Sequence, residues 1–99
     1  MQVNIRTALS LVKARLNRLA SDATLDAYFV QRIEAAEAEL ENTGISLTDS
    51  ADDLMLVVDY TVWQYQNRDQ AGGMPEWLRL RRRERWLKQR QLDSEVTDG

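Results

Sequence analysis

The 99-residue chain contains no cysteine and no histidine, and these two absences exclude several kinds of chemistry. Without cysteine there is no disulfide, no thiolate nucleophile and no cysteine-bound zinc or iron–sulfur site. Without histidine the chain lacks the most common general base and the most common metal ligand. We therefore expect neither an enzyme nor a cofactor-binding protein.

Glycine and proline are scarce, with four residues and one residue respectively. No apolar run approaches the roughly 20 residues of a membrane-spanning helix. The N-terminal segment mixes charged with apolar residues, so it does not resemble a signal peptide. A chain of this length and apolar content, 43%, is expected to form one domain. We place that domain at residues 1–90 and expect an acidic, disordered tail at residues 91–99.

The formal net charge of −3 hides a strong division along the chain. Residues 1–20 carry four basic side chains and no acidic one, whereas residues 21–75 carry eleven acidic and two basic side chains. Residues 76–90 carry seven basic and two acidic side chains, and the last nine residues carry a net charge of −3. Surfaces of opposite charge on one small domain favour self-association, because each attracts the other.

Apolar residues recur at helical spacing, and no segment alternates as a strand would. The first stripe consists of Ile5, Leu9, Val12, Leu16 and Leu19, and the second of Leu25, Phe29, Ile33, Ala36 and Leu40. We predict an all-α fold, a small bundle of three packed helices at residues 4–20, 24–42 and 50–68 plus a C-terminal basic amphipathic helix at 75–90. Between the second and third helices, Gly44 suits a left-handed helix end, and Ile45 and Leu47 are expected in the core.

The third predicted helix is apolar on two opposite sides. Its core side consists of Leu54, Val57, Val58, Thr61, Val62 and Tyr65. The opposite side carries Leu56, Tyr60 and Trp63. Either this is the central helix, covered on both sides, or these three residues form a subunit interface, where aromatic residues are enriched. Ser50 followed by Asp53 resembles a capping box at the start of the helix.

The fourth predicted helix combines a narrow apolar stripe with many arginines. Leu80 and Leu87 form the stripe, which is expected to pack inward, and Trp86 falls on the other side. Four arginines surround that tryptophan: Arg79, Arg82, Arg83 and Arg90. This face is a solvated basic surface, a contact for the carboxylates of a protein partner, or a contact for nucleic acid. The acidic isoelectric point, near 4.9, weighs against a freestanding nucleic-acid binder.

Three glutamates share one face of the second predicted helix, opposite its core stripe: Glu34, Glu37 and Glu41. Helical di-metal sites combine glutamates with Glu-x-x-His motifs, and this chain has no histidine. We therefore expect the three glutamates to form a solvated or partner-facing surface.

The order of motifs resembles that of one known family. The motifs are Leu25-Asp26-Ala27-Tyr28, Arg32-Ile33-Glu34-Ala35-Ala36-Glu37, Gly44-Ile45, Asp59-Tyr60 with Trp63, Asn67-Arg68-Asp69, Gly72-Gly73-Met74-Pro75 and the arginine-rich helix. Over residues 5–90 this order resembles the head–tail connector, or head-completion, proteins of tailed phages and prophages. The resemblance implies a small all-helical subunit of the virion, assembled in the host cytoplasm into a ring below the portal protein. DNA then passes through the ring without sequence-specific binding, and the other partner is a tail or head-closure protein.

The charge division is compatible with such a ring, because a head-to-tail contact needs two unlike, complementary surfaces on each subunit. The acidic middle of the chain and the basic fourth helix form such a pair, with Leu56, Tyr60, Trp63 and Trp86 as candidate apolar anchors. Two alternatives come from other functional classes. One is a small nucleic-acid-binding regulator or packaging accessory that uses the Arg79–Arg90 helix. The other is an adaptor for a different helical protein.

Overall fold

The computed structural model describes residues 3–70 and 72–98, and these residues form four helices without a strand. The helices are α1 (Ile5–Arg15), α2 (Asp26–Asn42), α3 (Ala51–Gln66) and α4 (Glu76–Asp98). The predicted all-α fold is confirmed. Among the described helices, none is long and apolar enough to cross a membrane.

Helix α1 ends at Arg15, earlier than the predicted end near residue 20. The reason is Asn17, whose φ of 59° is left-handed, a conformation that asparagine tolerates better than most residues. The Arg18 N–H then donates to the Lys13 carbonyl at 2.8 Å, which closes the last turn. Leu19, predicted to continue the apolar stripe, is consequently exposed.

The connection between α2 and α3 follows the prediction closely. Gly44 has a φ of 103°, which permits the chain to leave α2 in the left-handed region. Ile45 and Leu47 are buried in the core, as expected. Ser50 caps α3, because its Oγ accepts a hydrogen bond from the Asp53 N–H at 3.2 Å.

Helix α3 is the central element of the core. It packs against α1, α2 and α4. Leu56 and Tyr60, on the side of α3 opposite the predicted core face, are buried within the subunit, and Trp63 is half-buried. The first of the two alternatives for this helix, a central helix covered on both sides, therefore describes the fold.

Helix α4 is rotated relative to the prediction. Leu80 and Leu87, expected to pack inward, are 46% and 48% exposed, whereas Leu78 is completely buried. Trp86, expected to be exposed, is half-buried and packs against the core. The apolar stripe therefore does not determine which side of α4 faces the bundle.

Helix α4 also continues to Asp98, beyond the predicted boundary at Arg90. Helical backbone thus covers residues 91–98, where the acidic composition predicted a disordered tail. The segment contains neither glycine nor proline, so nothing in it interrupts the helix. Gln89 also donates to Asp93 Oδ1 at 3.0 Å across one helical turn.

The orientation of α4 can be tested with two leucines of the same helix. We expect Leu78→Ala to lower the free energy of unfolding by about 2–5 kcal/mol, because the truncation leaves a cavity in the core. Leu80→Ala is expected to change it by about 0.5 kcal/mol or less, because the side chain is half in solvent. Urea unfolding followed by circular dichroism measures both values. Equal losses for the two variants would show that α4 does not pack on the side described here.

Candidate interaction surface

The inner face of α4 is held largely by arginines that bind buried aspartates of α3. Arg85 donates from Nε to Asp53 Oδ1 at 2.7 Å and from Nη2 to Asp53 Oδ2 at 3.2 Å. The same guanidinium donates to the Ser46 carbonyl at 2.7 Å. Asp53 is almost fully buried. Its bidentate ion pair joins α4 to α3, and the bond to Ser46 joins α4 to the loop that precedes α3.

Further hydrogen bonds complete the surroundings of the Asp53 carboxylate. The Thr48 N–H and hydroxyl both donate to Oδ2, at 2.8 and 2.9 Å. Burial alone would raise the pKa of Asp53, but the hydrogen bonds from Arg85 and Thr48 outweigh it and hold the pKa below its ordinary value. Asp53 is therefore a charged anchor for α4, in addition to its place in the first turn of α3.

Asp59, six residues further along α3, binds two other helices at once. Its Oδ1 accepts a hydrogen bond from Arg15 of α1 at 2.5 Å, and its Oδ2 accepts one from Arg81 of α4. The aspartate is buried while both arginines are partly exposed. A single carboxylate thus connects α1, α3 and α4.

Two further basic residues of the N-terminal segment, Lys13 and Arg18, are also engaged within the subunit. Lys13 is buried and its Nζ lies 2.9 Å from both Asp26 Oδ1 and the Ala20 carbonyl. Arg18 pairs with Asp22 at 3.8 Å and lies over the Phe29 ring. The positive charge that the sequence places in residues 1–20 is therefore used mainly to hold the bundle together.

Three of the four arginines predicted to surround Trp86 are exposed: Arg79, Arg83 and Arg90. Arg82 is half-buried, and the Arg90 guanidinium lies 5.0 Å from the centre of the Trp86 ring. An open cleft of about 550 Å³, here called the arginine cleft, is lined by Thr43, Arg79, Arg82, Arg83 and Trp86. The structure therefore brings these predicted residues together on one side of α4.

Trp86 packs closely against the end of α2. A Cβ placed on Gly44 would lie 3.4 Å from the indole Nε1, and the φ of this glycine already disfavours any side chain. Gly44 therefore has two roles, since it ends α2 and leaves room for the tryptophan that forms the floor of the arginine cleft.

Hydrogen bonds between side chains of α2 and α3 lie beside the arginine cleft. The Tyr60 hydroxyl donates to Glu39 Oε2 at 2.6 Å, and Gln64 donates to the same oxygen at 3.1 Å. Burial of the phenol and its bond to Glu39 raise the pKa of Tyr60 to about 12. Tyr60 therefore remains a neutral donor inside the subunit and does not serve as an exposed anchor, and Glu39 was not anticipated from the sequence.

The predicted acidic surface on α2 is divided. Glu34 and Glu41 are exposed, as expected. Glu37 is buried, and its carboxyl group forms a hydrogen bond with the backbone of Val3. Burial, followed by repulsion from Glu41 and Glu34, raises the pKa of Glu37 above its ordinary value. Glu37 is thus not partner-facing, because its side chain is buried within the subunit.

Among residues 3–70 and 72–98, no cluster of acidic side chains is arranged to hold a metal ion. The chain matches no protein-family model, no curated protein and no solved structure. Its candidate functional surface therefore rests on its own geometry, namely the arginine cleft and the outer side of α4.

Two adjacent aspartates test the anchoring of α4. We expect Asp53→Ala to lower the free energy of unfolding by about 3–5 kcal/mol, because it leaves the Arg85 guanidinium without its carboxylate. Asp52→Ala removes an exposed acidic residue one position earlier and is expected to cost about 1 kcal/mol or less. Urea unfolding compares the two variants. Similar losses would show that the Asp53–Arg85 pair does not anchor the helix.

The same pair gives the stability a defined dependence on pH. The pKa of Asp53 is lower in the folded chain than in the unfolded chain, so its contribution is complete above the ordinary carboxyl pKa. The contribution disappears as the pH falls through the lowered value. We therefore expect Asp53→Asn to flatten the acid limb of a plot of unfolding free energy against pH. An unchanged acid limb would contradict this assignment.

Proposed function

We propose that the chain is a structural subunit of the head–tail connector type, as its resemblance to that family implies. In this proposal it forms a ring below the portal protein of a tailed phage or prophage and meets a tail or head-closure protein on the other side. DNA passes through the ring without being read. The subunit assembles in the bacterial cytoplasm and remains in the virion, and its role involves no reaction.

The observation that carries this proposal is the presence of two exposed surfaces of opposite charge on one subunit. Arg79, Arg83 and Arg90 are exposed on α4, and Glu34 and Glu41 are exposed on α2. Within the described part of the chain, no ion pair joins these two surfaces. A subunit with unlike, complementary surfaces can bind the next copy head to tail, and such contacts form rings when the rotation closes.

The internal ion pairs explain why Arg79, Arg83 and Arg90 would be available to a neighbour while other arginines of α4 would not. Arg81 and Arg85 are engaged by Asp59 and Asp53 inside the subunit. The remaining arginines lie around Trp86 on the side of α4 that the bundle does not cover completely. Charged contacts of this kind set the orientation of subunits and reject wrong partners more than they add affinity.

Reconstitution with a cognate portal protein, viewed by electron microscopy, tests the proposed role. Wild-type protein is expected to add a ring to the portal, and Arg83→Glu is expected to reduce ring occupancy because it repels the acidic surface of the neighbour. Arg6→Glu, the same change of charge on an exposed residue of α1, is the matched control and should assemble normally. Equal assembly by both variants would remove Arg83 from the contact, and no ring with wild-type protein would contradict the role.

A compensating change separates a specific contact from a general effect of charge. Glu41 is exposed on α2, so Glu41→Arg in the Arg83→Glu background is expected to restore part of the ring occupancy if the two residues face each other. Glu37 is unsuitable for this purpose because it is buried.

The arginine cleft also supports a second candidate function, a nucleic-acid-binding regulator or packaging accessory, because guanidinium groups beside an indole can meet phosphates and bases. Duplex-DNA binding measured across salt concentrations distinguishes the two. For a connector subunit with a net charge of −3 we expect negligible binding at physiological salt. Strong binding that falls with salt, with a log–log slope of about −0.9 per phosphate contact, and that Arg83→Glu abolishes would favour the regulator.

A further inference from the structure

The outer face of α4 carries three large apolar side chains that the described residues of the subunit leave about half exposed. Trp77 is 49% exposed, and Leu80 and Leu87 are exposed to nearly the same extent. With Glu84 and Gln91 these residues follow spacings of three and four along the helix, the pattern of a seam that packs against another helix. We call residues 77, 80, 84, 87 and 91 the outer seam.

The arrangement is inverted relative to an ordinary surface helix. The side of α4 that faces α3 contains Arg81 and Arg85 bound to buried aspartates, while two leucines and a tryptophan face solvent. A helix normally buries its apolar stripe and exposes its charges. An apolar stripe turned outward on so small a domain indicates a surface that a partner covers.

We propose that the outer seam of α4 packs against the outer face of α2 in a second copy of this chain. This inference rests on the proposed function, and it identifies the surface through which neighbouring subunits bind. It differs from a contact made by the arginine cleft alone, because the seam contributes the apolar side chains of Trp77, Leu80 and Leu87, with Glu84 between them and basic residues on both flanks.

The charges beside the seam determine which occupant fits. By helical geometry Arg83 and Arg90 flank the seam on one side and Lys88 flanks it on the other. Two copies of α4 packed in parallel would bring these basic residues together, which is unfavourable. The occupant should therefore carry acidic residues beside its contact line.

The outer face of α2 has this character. Its exposed centre consists of Ala27, Gln31 and Ala38, and Glu34 and Glu41 lie exposed along one edge. The alanines permit the close approach of a helix that carries leucine and tryptophan side chains, and the glutamates face the arginines beside the seam. Large apolar residues with basic flanks thus meet a face of two alanines and a glutamine with an acidic flank.

The two faces are also similar in length. Helix α2 has 17 residues, and the outer seam spans residues 77–91 of α4. At a rise of about 1.5 Å per residue both extend for roughly 20–25 Å, so the whole seam can be covered by one neighbouring helix. Because the seam and its docking face are different surfaces, one subunit can bind one neighbour through α4 and another through α2, which is the arrangement of a head-to-tail contact.

Site-specific cross-linking tests this contact directly, because the chain has no native cysteine. Leu87→Cys and Ala38→Cys are prepared as separate proteins, both at exposed positions, and are mixed near the solubility limit. A bismaleimide that spans about two helical turns, ~10 Å, then joins cysteines of adjacent subunits without requiring an exact register. We expect the mixture to give several-fold more cross-linked dimer than either protein alone.

The control is Ser10→Cys, at an exposed position of α1, mixed with Leu87→Cys. Dimer at only the level of this control would overturn the proposed contact. Efficient cross-linking of Leu87→Cys with itself, without enhancement by Ala38→Cys, would also overturn it and would assign the seam to pairing of two α4 helices. Circular dichroism verifies beforehand that each variant is folded.

The result is separable from the test of the connector role. Cross-linking between α4 and α2 without ring formation on a portal would leave the contact in place and contradict the role. Rings on a portal from subunits that show no cross-link between these faces would leave the role in place and contradict the contact.

Discussion

The burial of two aspartates on α3 is the constraint on which the rest of the structure depends. A buried carboxylate needs a charged or hydrogen-bonding partner, because losing its hydration is otherwise too costly. Asp53 finds Arg85, and Asp59 finds Arg81 together with Arg15. Both α4 arginines lie on one side of the helix, so satisfying the aspartates fixes its rotation. Leu78 and Trp86 then pack inward, while Leu80, Leu87 and Trp77 turn to solvent.

This arrangement links the stability of the subunit to its capacity for assembly. The arginines that bind Asp53 and Asp59 hold the bundle together, and those on the remaining sides of α4 are available for contacts with other molecules. A buried ion pair is not an efficient source of stability, because desolvation offsets much of the attraction, but it defines one orientation sharply. In the proposed ring, that orientation would present the outer seam and its basic flanks to the α2 face of the next subunit.

Much of the fold could be predicted from the sequence, because helical periodicity and capping residues are local signals. The all-α class, the core stripe of α2, the left-handed Gly44 and the Ser50 cap follow from neighbouring residues alone. The orientation of α4 could not be predicted from its apolar stripe, because it depends on aspartates some 20 to 30 residues away in the chain. The available signal was the presence of Asp53 and Asp59 on a helix that is otherwise mostly apolar. Glu37 was wrongly predicted to face a partner for a similar reason, since its carboxyl group is bound by the backbone of Val3, which lies far from it in the chain.

Helix α4 is held in the bundle by its charged side, and in the proposed assembly a neighbouring subunit recognises its apolar side. The most direct measurement is a cryo-electron-microscopy structure of the assembled particle at a resolution that shows side chains. The Asp53–Arg85 and Asp59–Arg81 pairs are expected to remain within each subunit, with Leu80 and Leu87 covered by α2 of the neighbour. Leu80 and Leu87 packed against α3 of their own subunit, or left facing solvent in the assembled ring, would contradict it.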